Sequence, residues 1–150
     1  TSFQSLTSGG SDLVSAGSFG HGLFRSEDRG VTWTRSGQGV TDPFILTLTT
    51  GKDGAIYAGT FRGGVFRSRD HGKSWQAINT GLKHLEIKSL LAAGDVLYAG
   101  TSGGGYRVRA EGDRLWAGAT GLDDVLGATV SLSSRGARFA GTSGDGSLRF

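Results

Sequence analysis

The chain has 150 residues, 28 of them glycine and one proline, and its 16 basic and 13 acidic side chains leave a formal charge of +3. That length holds one domain with a real core, and the glycine content suits many short strands joined by tight turns better than helices or a disordered linker. The absence of cysteine excludes disulfides, zinc thiolate sites and thiol catalysis, the lack of a basic run disfavours nucleic acid, and no apolar stretch nears the roughly 20 residues that span a bilayer, so no membrane segment is expected.

Strands can be read in chain order. Residues 3–7 form a first strand, and Trp33 falls in the fourth strand of that set. In the next set residues 45–49 alternate apolar and polar, Gly51-Lys52-Asp53-Gly54 turns, and 55–59 is a second strand; Phe61-Arg62-Gly63-Gly64 turns again before strands at 65–68 and 74–78. Residues 87–91 open a third set, with Trp116 in its fourth strand. The last set has strands near 129–132, at 137–141 and at 147–150, and no fourth.

These sets are repeats. Ala16-Gly17-Ser18, Ala58-Gly59-Thr60, Ala99-Gly100-Thr101 and Ala140-Gly141-Thr142 place their glycines 42, 41 and 41 residues apart, from 59 − 17, 100 − 59 and 141 − 100. Trp33, Trp75 and Trp116 each follow their glycine by 16 residues, and Gly22, Gly64, Gly105 and Gly146 follow it by five. A period of about 40 to 50 residues holding four short strands is the signature of a propeller blade. The expected fold is therefore all-β, a single segment over 1–150 of about four consecutive four-stranded antiparallel blades, approximately 1–43, 44–85, 86–126 and 127–150. The last lacks its fourth strand. Glycine density argues against a helical repeat, and a β-sandwich would not require so regular a register.

Ahead of each tryptophan the first two repeats carry a second motif. Ser26-Glu27-Asp28-Arg29-Gly30-Val31-Thr32-Trp33 and Ser68-Arg69-Asp70-His71-Gly72-Lys73-Ser74-Trp75 both fit Ser-x-Asp-x-Gly-x-[Ser/Thr]-Trp, the Asp-box. The aspartate is suited to accept backbone N–H bonds across the hairpin, the glycine to adopt positive φ and the tryptophan to cover the hairpin. In the third repeat Arg109, Glu111, Asp113 and Leu115 stand at the Ser, Asp, Gly and Thr places, with Trp116 retained, so a looser hairpin is expected. The whole chain thus resembles the Asp-box (BNR-like) repeat propellers, which include sialidase-like and xyloglucanase-like glycosidases, sortilin-type receptors and the photosystem II assembly-factor family. The resemblance implies that Ser26, Asp28, Gly30, Trp33, Ser68, Asp70, Gly72, Trp75 and Trp116 are structural, on hairpins away from the ligand face, and that the protein is secreted or periplasmic.

In an antiparallel meander the loops between strands two and three open on the same face as the blade-to-blade connections, opposite the Asp-boxes. That face should carry Phe19, His21, Phe61, Arg62, Ser102, Gly103 and Asp145, with Thr41, Asp42, His84, Glu86, Asp123 and Asp124 from the connections. Phe61, Arg62, His21, His84 and Asp124 are the candidate ligand-binding residues, Phe61-Arg62 first among them, because an aromatic beside a guanidinium holds planar, carboxylate or sugar ligands. Asp123 and Asp124 are adjacent, whereas glycoside hydrolysis needs two carboxyl groups about 5 to 9.5 Å apart across a sugar. Arg25, Arg67 and Arg149 recur at one third-strand position, with Val108 replacing them in repeat three, and each is expected to pair with a nearby acid.

A sialidase-like enzyme would need an arginine triad, a Tyr–Glu nucleophile pair and an Asp acid, and Tyr57, Tyr98 and Tyr106 all fall within strands. No catalytic residue, metal site or cofactor is assigned. The favoured reading is a non-enzymatic scaffold or a module binding a protein or glycan on the loop face. One alternative is a fragment of an Asp-box glycoside hydrolase. Another, consistent with the lack of any methionine, is an engineered or evolutionary propeller fragment that self-assembles. Exposed blade faces predict self-association, for example a homodimer closing an eight-bladed ring, or union with other parts of a larger propeller.

Overall fold

The computed structural model describes residues 3–10, 12–109, 116–118, 127–132, 138–142 and 146–149, and side chains for 3–10, 12–103, Val108, Trp116 and Ala117. No helix forms among them. β1 (Phe3–Ser8), β2 (Val14–Ser18), β3 (Gly22–Ser26) and β4 (Thr34–Arg35) make the first antiparallel blade. β5 (Ile45–Thr50), β6 (Ile56–Thr60), β7 (Val65–Ser68) and β8 (Gln76–Ala77) make the second, and β9 (Ile87–Ala93), β10 (Val96–Thr101), β11 (Gly104–Arg109) and β12 (Ala117–Gly118) the third. The fourth holds β13 (Gly127–Leu132), β14 (Arg138–Thr142) and β15 (Gly146–Arg149). First strands pack in succession, β1 on β5, β5 on β9 and β9 on β13, and among the described residues no packing of comparable extent joins β13 to β1.

The repeated Ala-Gly-Ser/Thr follows from this stacking. A Cβ on Gly59 would come within 2.5 Å of Ile87 Cγ2 and 2.6 Å of Thr47 Cγ2, and one on Gly17 would collide with Ile45 of the next blade. Only glycine lets the following blade approach so closely. The hydroxyl after it closes the next hairpin. Thr60 Oγ1 donates to Gly64 O and accepts from Gly63 N, both at 2.9 Å, and Ser18 Oγ likewise bonds Gly22 O and His21 N at 3.1 and 3.0 Å. One tripeptide therefore sets both blade spacing and loop geometry.

Two expectations are corrected. The tryptophans do not lie in the fourth strands, which are only two residues long, but immediately before them. From there Trp75 leaves its own hairpin and buries against the first blade, in a core with Leu13, Leu23, Ile45, Leu48, Ile56, Ala58 and Phe66. Its Nε1 donates to Ser36 O at 2.7 Å and its backbone N to Gln38 O at 2.9 Å. Trp116 repeats this on the second blade, with Nε1 to Ile78 O and backbone N to Thr80 O at 2.5 and 2.9 Å. Second, the third repeat keeps its third-strand arginine. Thr101 pairs with Gly104 rather than Gly105, so the turn is one residue shorter and Arg107 faces Tyr98 as Arg67 faces Tyr57. Val108, opposite Leu97, instead takes the buried place that Ser26 and Ser68 hold opposite Val14 and Ile56.

Candidate functional site

Each complete Asp-box is a closed cage of hydrogen bonds. Asp28 accepts from Ser26 Oγ at 2.7 Å and Thr32 N at 2.8 Å through one oxygen and from Thr32 Oγ1 through the other; Ser26 Oγ in turn accepts from Gly30 N at 2.7 Å. Asp70 repeats the pattern with Ser68, Ser74 and Gly72. Gly30 and Gly72 have φ of 91° and 84°, and the residue before each, Arg29 and His71, is also left-handed at 62°. The bonds from Ser26 and then Thr32 hold the Asp28 carboxyl down at about 2, against an ordinary 3.8. Those from Ser74 and then Ser68 hold Asp70 well below the usual carboxylate range. Carboxylates so held stay ionised at neutral pH and have no proton to give to a substrate.

On the opposite face the loops meet as strand connectivity requires. Asp42, on the connection from the first to the second blade, accepts from Phe44 N at 3.0 Å through one oxygen and from Arg62 N and Gly63 N at 2.7 and 3.0 Å through the other. Phe61 N donates to Phe44 O, while Gly20 N and Gly22 N share Pro43 O. This framework gathers three phenylalanines. The Phe19 ring lies 4.6 Å from Phe44 and 5.9 Å from Phe61, both edge-on, and the Arg62 guanidinium stacks 5.0 Å from the Phe61 centroid. Phe19, Phe44 and Arg62 are exposed. Beside them a cleft of about 400 Å³ is lined by His21, Leu23, Arg35, Val40, Asp42 and Pro43 among others.

The first of these cages coincides with the BNR-Asp box repeat family, which matches residues 23–36. In fold, the chain superposes on the extracellular domain of BT4673 from B. thetaiotaomicron with a TM-score of 0.82 and 19% identity, over 100% of this chain and 21% of that one. The chain is a run of propeller blades, the first of which carries the matched Asp-box repeat. The computationally designed Ika4 protein is similar at a TM-score of 0.76 and 10% identity, covering 100% of this chain and 91% of Ika4. YCF48, solved bound to D1 peptide, is similar at 0.69 and 14%, covering 98% and 50%. The propeller segment thus spans about a fifth of the BT4673 domain and half of YCF48. No curated protein sequence matches it significantly.

Within the propeller the candidate residues separate. Phe61 and Arg62 sit in the aromatic cluster and His21 in the adjoining cleft, so these three come together. His84 lies one blade on, its imidazole against Gly103 with no room for a Cβ between them. Asp124 lies outside the described residues, as do Asp123, Asp145 and the third Asp-box hairpin. Sequence reasoning missed Phe44, whose only signal was an aromatic after Pro43 where the next repeat has Glu86. It missed as well a 230 Å³ cleft on the Asp-box side, lined by Lys52, Asp53, Tyr57, Asp95, Val96 and Leu97 among others. Arg25 is accounted for locally: it pairs with Glu27 at 2.7 Å and donates to His71 O at 3.0 Å in the next blade.

Proposed function

We propose that this propeller is a non-enzymatic binding module that holds a segment of another protein on its loop face. Phe19, Phe44 and Phe61 provide the apolar seat and Arg62 the partner for an acidic group. The observation that carries the reading is the asymmetry between blade junctions. Phe19 and Phe61 occupy loop tips where the third blade has Ser102, and Phe44 stands where the next connection has Glu86. Blade stacking is satisfied equally well by polar residues at that second junction, where Ser102 N bonds Glu86 O. Three aromatics gathered at one junction therefore do something other than join blades. An exposed aromatic cluster beside a cation that makes no ion pair among the described residues is the composition of an interface centre. YCF48 bound to D1 peptide supports a peptide ligand for this fold, and the BT4673 extracellular domain supports a secreted or periplasmic setting. A catalytic role draws less support, because both oxygens of Asp42 are occupied by backbone N–H groups and Asp28 and Asp70 are caged.

Selection from a displayed random-peptide library, with a glycan array run in parallel, tests this. Recovered peptides are expected to join an aromatic or aliphatic residue to Asp or Glu. Binding should weaken by about 2 kcal/mol, roughly thirty-fold, in a Phe61→Ser, Arg62→Ser variant. Peptides that bind this variant as tightly as the parent, or ligands found only on the glycan array, would overturn it.

A further inference from the structure

Strand register makes the loop ends of the first two blades equivalent residue for residue. Leu23 pairs with Gly17 as Val65 pairs with Gly59, and Ser36 N bonds Leu23 O as Ile78 N bonds Val65 O. Gly37 therefore corresponds to Asn79, and His21 to Gly63. In the second blade the Asn79 side chain folds back over the loop, its Oδ1 accepting from Val65 N at 2.7 Å and its Nδ2 donating to Gly63 O at 2.9 Å. One carboxamide thus satisfies a backbone donor and a backbone acceptor that the short fourth strand, Gln76–Ala77, does not reach. In the first blade that carboxamide is missing. Gly37 has no side chain to offer, and among the described residues no other side chain bonds Leu23 N. The space is left open as well: a Cβ on Gly64 would run into the Asn79 amide, whereas one on Gly22 would meet no atom within 4 Å. The cleft of about 400 Å³ lined by His21, Leu23, Gly37, Val40 and Asp42 is what remains. Leu23 and Val40 of its wall belong to the core shared with the second blade, so the cleft lies at the blade junction, beside the aromatic cluster.

We propose that this cleft is a specificity pocket for a carboxamide, the side chain of an Asn or Gln in the protein segment held on the loop face. That the carboxamide arrives on a protein segment rests on the function proposed above; the chemistry of the pocket rests on Asn79, which shows within the same chain what these backbone groups hold. The ligand oxygen accepts from Leu23 N and its NH2 group donates to His21 O, whose contact with Arg35 Nη1 is long at 3.4 Å. A carboxylate is a poorer occupant. It could accept from Leu23 N, but it would set a second oxygen against His21 O and its charge against the Asp42 carboxylate in the same wall. An aliphatic side chain would leave both backbone groups without a partner. The segment is therefore read twice, by Phe61 and Arg62 for its apolar and acidic residues and by the cleft for an amide beside them.

Titration of the nitrogen-15-labelled 150-residue chain with propionamide and with propionate, followed by NMR, decides the matter, with a Gly37→Asn variant beside the parent. A Cβ on Gly37 would lie 3.6 Å from Leu23 N and 3.9 Å from Leu23 Cβ, ordinary contact, so the variant places its own amide as Asn79 does and should unfold at a urea concentration no lower than the parent. The Leu23 amide signal of the parent should move with propionamide, at least ten-fold more tightly than with propionate, and Gly37→Asn should abolish the response. Peptides selected on the parent should carry Asn or Gln at a fixed distance from their aromatic or aliphatic residue, and those selected on Gly37→Asn should lose that preference while still needing Phe61 and Arg62. A Leu23 signal that propionamide leaves unmoved, propionate binding as tightly as propionamide, or a response that survives in Gly37→Asn overturns the pocket, whatever the peptides show. Peptides indifferent to Phe61 and Arg62 overturn the function proposed above and leave the propionamide result standing.

Discussion

At the scale of single residues the Asp-box is an electrostatic device. Asp28 ionises at about 2 in the folded chain and at 3.8 in its absence, so its contribution to stability is present in full above 3.8 and disappears as pH falls through about 2. Asp70, lowered by Ser74 and Ser68, acts in the same direction. The expected outcome is a urea midpoint higher for the parent than for an Asp28→Asn, Asp70→Asn variant at pH 5, with the difference narrowing as the pH falls from 3.8 towards 2. A difference that stayed constant with pH would mean that charge has no part in the cage. The motif letters were legible as structural because Ser, Asp and Gly each have a local task in one hairpin. The left-handed Arg29 and His71 were not, since neither residue type announces that conformation.

Among elements, the decisive one is the two-residue fourth strand with its preceding tryptophan. Periodicity placed the tryptophan inside a strand because alternation cannot distinguish a residue that pairs from one that leaves the sheet to reach a neighbour. In the structure Trp75 joins blades through its indole N–H and its buried ring, whereas the Trp33 indole N–H stays within its own hairpin and its ring packs on Phe3 of the same blade. Trp75→Phe should therefore lower stability by about 1 to 3 kcal/mol, from lost ring area and a Ser36 carbonyl without its partner, as read from chemical denaturation. The same change at Trp33 should have a clearly smaller effect in the single chain. Equal losses at both positions would place the tryptophan's work in the hairpin and not between blades. The third blade repeats the lesson at its loop: the two-residue turn of Ser102 and Gly103 moved the register by one, which a count from Gly100 could not reveal.

Over the whole molecule, stability in such a stack is the sum of each blade and its contacts with neighbours. The second blade is covered on both sides and the first on one. Amide hydrogen exchange should be slowest in β6 and faster in β2, and the reverse order would show that blade contacts do not govern local opening. The sequence by itself determined the all-β class, the blade repeat, the Asp-boxes and the sorting of loops between two faces, because these rest on local periodicity and on the alternation of an antiparallel chain. Only the tertiary structure decided that Phe44 joins Phe19 and Phe61, that Asp42 ties two blades' loops together and that His84 lies apart against Gly103. It decided also that Leu6 is left in water while Leu48 and Leu90 are not. These depend on which blade lies beside which, and identical repeats carry the same letters whether or not a neighbour covers them.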